Sequence, residues 1–109
     1  MTETITRMFD VIEQAFALTI DRRSMTATRF VTHLRYLFTR VTSGKQIAES
    51  HNTLVDAIAN AHPDAMVCAA KLQYFIEMGL SAHLTRDETG YLALHVARLV
   101  ADVRLQTAN

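Results

Sequence analysis

At 109 residues, half of them hydrophobic, the chain has the size of one domain able to bury a core without disulfides or metals. Eleven Lys plus Arg balance eleven Asp plus Glu, so the formal net charge is zero and the positive excess that drives nucleic-acid binding by counterion release is missing. Few Gly and Pro argue against disorder, and no apolar run approaches the roughly 20 residues of a membrane span.

The lone Cys68 cannot form an internal disulfide, and no secretion signal is evident, which points to the cytoplasm. Direct nucleic-acid contact and membrane insertion are therefore not expected. Near-zero charge also weakens the repulsion between copies of a small domain, which permits self-association.

Ile5, Met8, Phe9, Ile12, Phe16 and Ile20 recur at helical spacing and predict a first helix from about Glu3 to Ile20. Asp21 to Ser24 reads as a polar turn. A second helix is expected over about Thr26 to Thr42, with Phe30, Leu34, Leu37, Phe38 and Val41 on one face and Ser43-Gly44 closing it. The third runs from about Gln46 to Asn60 and uses Ile47, Leu54, Val55 and Ile58. Pro63 suits the first turn of a fourth helix, which Gly79 ends after Met78. Thr85 and Glu88 have the spacing of a reciprocal capping box, and the fifth helix follows from about Arg86 to Gln106 with Leu92, Val96, Leu99 and Val103 as its stripe. Gly90 would let another element approach closely. The expected fold is an all-α, compact five-helix bundle, one domain over 1–109. Leu34, Leu37, Phe38, Leu72, Ile76, Leu92, Val96 and Leu99 are expected to be buried.

Two histidines stand in this framework at the edges of apolar stripes, where a ring is held by the core yet reached from outside. His33 falls roughly 60° from Phe30 on the helix, with Leu37 on one side and Arg40 about two turns along the same line. Arg40 could contact an added phosphate or a partner carboxylate. His95 has Tyr91 one turn before it and Leu99 one turn after, with Glu88 and Asp102 about two turns away on either side. A carboxylate there could orient the ring and raise the basicity of its nucleophilic nitrogen. Border histidines of this kind suit a reversible phosphoryl acceptor; the alternative is that each ring merely packs and hydrogen-bonds.

The other histidines carry weaker signals. His62 precedes Pro63 as a cap or turn residue, and His51 and His83 read as solvated. No two histidines stand three or four residues apart, so no metal site is expected. Cys68 reads as core, and the five methionines as core filling. There is no nucleotide loop, nucleophile elbow or acid cluster, so the chain is not read as an enzyme and no cofactor is implied.

Three segments carry a resemblance to a known family. Thr32-His33-Leu34-Arg35-Tyr36 through Arg40, His62-Pro63-Asp64-Ala65 through Ala69, and Leu84-Thr85-Arg86-Asp87-Glu88-Thr89-Gly90-Tyr91 through His95 resemble, in order, the motifs of the PTS regulation domain (PRD) of BglG/SacY-type antiterminators and related activators. The last is the strongest. The resemblance implies an all-helical, homodimeric regulatory domain whose histidines, here His33 and His95, accept phosphate. The implied donor is the histidine phosphocarrier protein of the sugar phosphotransferase system or an EIIB sugar-permease component. Arg40, Glu88 and Tyr91 would support the site. Phosphate, adding up to about two negative charges, would shift the dimer and so modulate transcription unless Arg40, Arg98 or another cation neutralises it. The chain departs from its larger relatives in having one copy of the domain and no evident RNA-binding or DNA-binding module, so a stand-alone regulator and a fragment of a longer one both stay open. A structural dimerisation or adaptor domain without phosphorylation is the competing reading.

Overall fold

The computed structural model describes residues 2–47 and 52–107, which form five α-helices. They are α1 (Thr2–Phe16), α2 (Met25–Thr42), α3 (Asn52–Ala61), α4 (Pro63–Leu80) and α5 (Arg86–Thr107). Among the described residues there is no strand, and no helix is long and apolar enough to cross a membrane.

Helix α5 is the hub: α2, α3 and α4 all pack on it, while α1 lies against α4. The cause is the two-sided apolar character of α5, where Leu92, Ala93, Val96, Leu99, Val100 and Val103 are all buried and together cover more than one stripe. All eight residues expected in the core are there, joined by Met8, Ile12 and Ala69, each with no exposed surface. Cys68 is also buried, and burial pushes its thiol up to about 11, against a smaller opposing effect of Lys71, so it is a small hydrophobe and no nucleophile.

Helix ends differ from expectation where local hydrogen bonds decide. α1 stops at Phe16 rather than near Ile20, because Ala17 adopts a left-handed conformation and the Leu18 N–H turns back to the Glu13 carbonyl. The Glu13 carboxylate then accepts from the Ile20 N–H at 2.8 Å, and Ile20 is buried from the loop instead of from the helix. α2 starts where Ser24 accepts from the Ala27 N–H at 3.1 Å. Gly79 does not stop α4: it lies inside the helix facing Thr4 of α1, and the left-handed exit falls on Ser81. Gln46 and Ile47 are not helical, and among the described residues α3 covers Asn52–Ala61; residues 48–51, His51 with them, lie outside the described residues.

Gly90 behaves as its position suggests, since a Cβ there would come within 3.1 Å of Val55 of α3. The methionines are a correction. Met8 is fully buried and Met66 packs against the core, but Met25 and Met78 are exposed and fill nothing.

Candidate functional site

His33 on α2 and His95 on α5 meet face to face. Their ring centroids are 3.9 Å apart with an interplanar angle of 19°, and both residues are half-buried. Packing of α2 on α5 brings them together, with Phe30, Leu34 and Leu37 on one helix and Leu92, Val96 and Leu99 on the other seating the rings at the rim of the core. Stacking leaves the ring nitrogens, which lie in the ring planes, pointing outward rather than at the neighbouring ring. Among the described residues neither imidazole makes a hydrogen bond.

The expectation of a carboxylate orienting His95 and raising its basicity is therefore corrected. Glu88 is engaged by Arg40 and Asp102 by Arg29 (3.4 Å), so neither carboxylate reaches the ring. Its pKa moves the other way, down to about 4, first because burial penalises the charged ring and then because His33, Arg98 and Arg40 add positive potential. The His95 ring is neutral at pH 7 and keeps a free lone pair.

Arg40 and Glu88 form a two-point ion pair: Nε donates to Oε2 at 2.8 Å and Nη2 to Oε1 at 2.7 Å. The Glu88 side chain is fully buried while the Arg40 side chain is 34% exposed. The bonds to Glu88 hold the guanidinium above its ordinary pKa against the cost of burial. Glu88 also accepts from the Ile47 N–H at 3.1 Å. Only half of the expected capping box forms, since the Glu88 N–H donates to Thr85 Oγ1 at 3.2 Å but the Glu88 carboxylate has turned away to Arg40. The Thr85 N–H is satisfied instead by Gln46 Oε1 at 3.0 Å, and Thr85 Oγ1 donates to the Ile47 carbonyl at 2.8 Å. Gln46 and Ile47, read from sequence as helix, thus pin the α2–α3 connection onto the start of α5.

Between these groups lies a cavity of about 220 Å³, with His33, His95, Arg40, Glu88, Tyr36 and Tyr91 in its wall. His33, His95, Arg40, Glu88 and Tyr91 are therefore gathered at one place, while Arg98 lies beside His95 at adjacent surface depressions. The remaining described histidines do not line this cavity: His62, the exposed N-cap position of α4, shares an adjacent surface depression with His95 and Arg98, and His83 is exposed with its ring 3.8 Å from Glu77. Among the described residues no group of three or more His, Cys, Asp and Glu could hold a metal.

Asp87 was not singled out as a site residue, yet it is buried, and among the described residues neither of its carboxylate oxygens has a hydrogen-bond partner. It stands in the first turn of α5, where the helix dipole favours negative charge.

The chain that folds into this bundle, with two stacked histidines beside an arginine–glutamate pair, matches the PRD domain family over residues 6–99. The chain belongs to the PRD domain family. It is 28% identical over 100 residues to the transcription antiterminator LicT of Bacillus subtilis (strain 168), covering 92% of this chain and 36% of that protein. It is 25% identical over 109 residues to the beta-glucoside operon antiterminator of Dickeya chrysanthemi (100% and 38%), and 26% identical over 96 residues to Protein GlcT of Staphylococcus aureus (strain JH9) (88% and 34%). The chain thus spans a little over a third of the length of these relatives. No solved structure gives a significant match.

Proposed function

We propose that this domain is a phosphorylation-controlled regulator of transcription: His33 and His95 accept a phosphoryl group from the histidine phosphocarrier protein or an EIIB sugar-permease component, and the modified domain acts through a homodimer or a partner. The observation that carries the reading is the stacked pair itself, two imidazoles without hydrogen-bond partners among the described residues at the mouth of a cavity. An uncharged ring supplies the lone pair that forms the new N–P bond as the donor's own bond to phosphorus breaks. The driving force belongs to the donor, so this chain is the substrate of that step and needs no catalytic machinery.

Membership of the family and the antiterminator names of the relatives support the regulatory part. The homodimer is supported by exposed apolar side chains beside the stack: Tyr36 is 60% exposed and Leu94 40%. Two added negative charges per site on such a face would alter its pairing with a second copy.

The test is incubation with phosphoenolpyruvate and the general phosphotransferase proteins, followed by mapping of acid-labile phosphate. Phosphate on His33 or His95 is the expected result. If neither is labelled, with both phosphocarrier and EIIB donors supplied, the proposal fails and the domain is an adaptor that kept the fold without the chemistry.

A further inference from the structure

Three arginines line the depressions around the stacked imidazoles: Arg29, Arg40 and Arg98. They are not equally available. Arg40 is committed through both Nε and Nη2 to Glu88, and Arg29 is paired with Asp102. Arg98 is exposed, and among the described residues its side chain makes no hydrogen bond or ion pair. It lies three residues after His95, where helix neighbours face each other, and the two share the walls of two adjacent surface depressions.

We propose that Arg98 is the residue that holds the phosphoryl group once it is on His95, while Arg40 remains on Glu88 and holds the fold instead. The assignment rests on the functional reading above and names the cation of that site.

The argument is one of availability. Drawing Arg40 onto a phosphate would strip the partner from a carboxylate with no exposed surface, leaving it only the Ile47 N–H. Recruiting Arg98 breaks nothing, and a guanidinium presents a fork that matches two phosphoryl oxygens. Of the two arginines that disfavour protonation of the His95 ring by their positive charge, Arg98 has the larger effect and Arg40 the smaller. His33 has no equivalent on its own helix, since the arginine one turn before it, Arg29, is occupied by Asp102. Asp102 also lines the depression that both histidines share with Arg98, so the phosphoryl group on His95 takes the other one, where Arg98 and His62 are in the wall and Asp102 is not. The stable phosphorylated form therefore carries its group on His95.

Phosphoramidate tests this without a partner protein, because an imidazole nitrogen displaces ammonia from its phosphorus and forms the N–P bond directly. The phosphorylated chain is mapped by mass spectrometry and its phosphoryl group titrated by ³¹P NMR. A guanidinium held against the phosphoryl oxygens favours the dianion, so the phosphate pKa of the wild-type protein should lie about one unit below that of Arg98→Gln. Arg98→Lys should recover part of the shift, and Arg40→Gln, which removes a weaker and more distant influence, should move the phosphate pKa by less than Arg98→Gln does. Equal titration in the wild type and Arg98→Gln overturns the assignment, as does phosphate found on His33 alone. Should Arg40→Gln not fold, the comparison of Arg98→Gln with Arg98→Lys decides alone. Absence of label on both histidines in the wild-type protein is a different result, and it overturns the functional reading together with the assignment.

Discussion

Removing Arg40 should show what the ion pair with Glu88 contributes to the fold. In Arg40→Met the stem of the side chain is largely retained but the guanidinium is gone, and the fully buried Glu88 carboxylate loses two of its three hydrogen bonds. Breaking one side of a buried pair costs about 3–5 kcal/mol. Arg40 is a third exposed, which lets water reach the gap and places the expectation at the lower end, about 3 kcal/mol. That is a large part of the ~5–15 kcal/mol by which a domain is stable. Glu88→Met should cost less: it leaves a cation that can turn to solvent, and one unmade bond to the Ile47 N–H worth about 1 kcal/mol. The double variant Arg40→Met/Glu88→Met should resemble Glu88→Met, because replacing a whole buried pair by apolar side chains of similar volume is often neutral. Urea unfolding of the four proteins, followed by helical circular dichroism, closes a thermodynamic cycle with an expected coupling of about 2–3 kcal/mol. Effects that add to within about 0.5 kcal/mol would refute the reasoning, since the two side chains would then stabilise the fold independently.

Because the folded His95 pKa lies near 4 and the unfolded one near 6.5, the unfolded chain binds the extra proton first as pH falls. Stability should therefore be full above about pH 6.5 and decline toward pH 4, by on the order of 1–3 kcal/mol from this residue; unfolding free energies across that range should flatten in His95→Gln, and an unchanged slope would contradict the burial argument. Two glycines on packed helices should respond oppositely to alanine. Gly90→Ala drives a methyl to within 3.1 Å of the stiff, buried Val55 and should destabilise by about 1 kcal/mol, whereas Gly79→Ala meets Thr4 at an ordinary 3.4 Å and should gain about 0.5–1 kcal/mol from helix propensity. Thermal melts that move the same way for both would show that Val55 yields. For assembly, sedimentation should find a dimer whose constant changes between the unmodified and phosphorylated proteins; a monomer in every state, well above micromolar concentration, would end the dimer-switch mechanism.

The periodic positions of this chain were legible without its structure. Phe30, Leu34, Leu37 and Phe38 on one helix and Leu92, Val96 and Leu99 on another fix which faces turn inward, because burial of an apolar stripe dominates the free energy and depends only on spacing along the helix. His33 and His95 follow from the same pattern as border residues, as do the start of α4 at Pro63 and the close approach at Gly90. Helix ends were less legible, since they turn on single competing hydrogen bonds: Glu13 caps the loop at Ile20, and Ser81 rather than Gly79 takes the left-handed exit.

Only the tertiary structure decided how the charged residues pair. Local spacing offered Glu88 to Thr85 and to His95, but α2 delivers the Arg40 guanidinium to it, and a charge-assisted two-point pair to a carboxylate with no exposed surface outweighs a capping hydrogen bond at a helix terminus. The stacking of the two histidines, the expulsion of carboxylates from their edges and the freedom of Arg98 are likewise consequences of α2 packing on α5. Such contacts join residues dozens of positions apart, and no periodicity within either helix contains them.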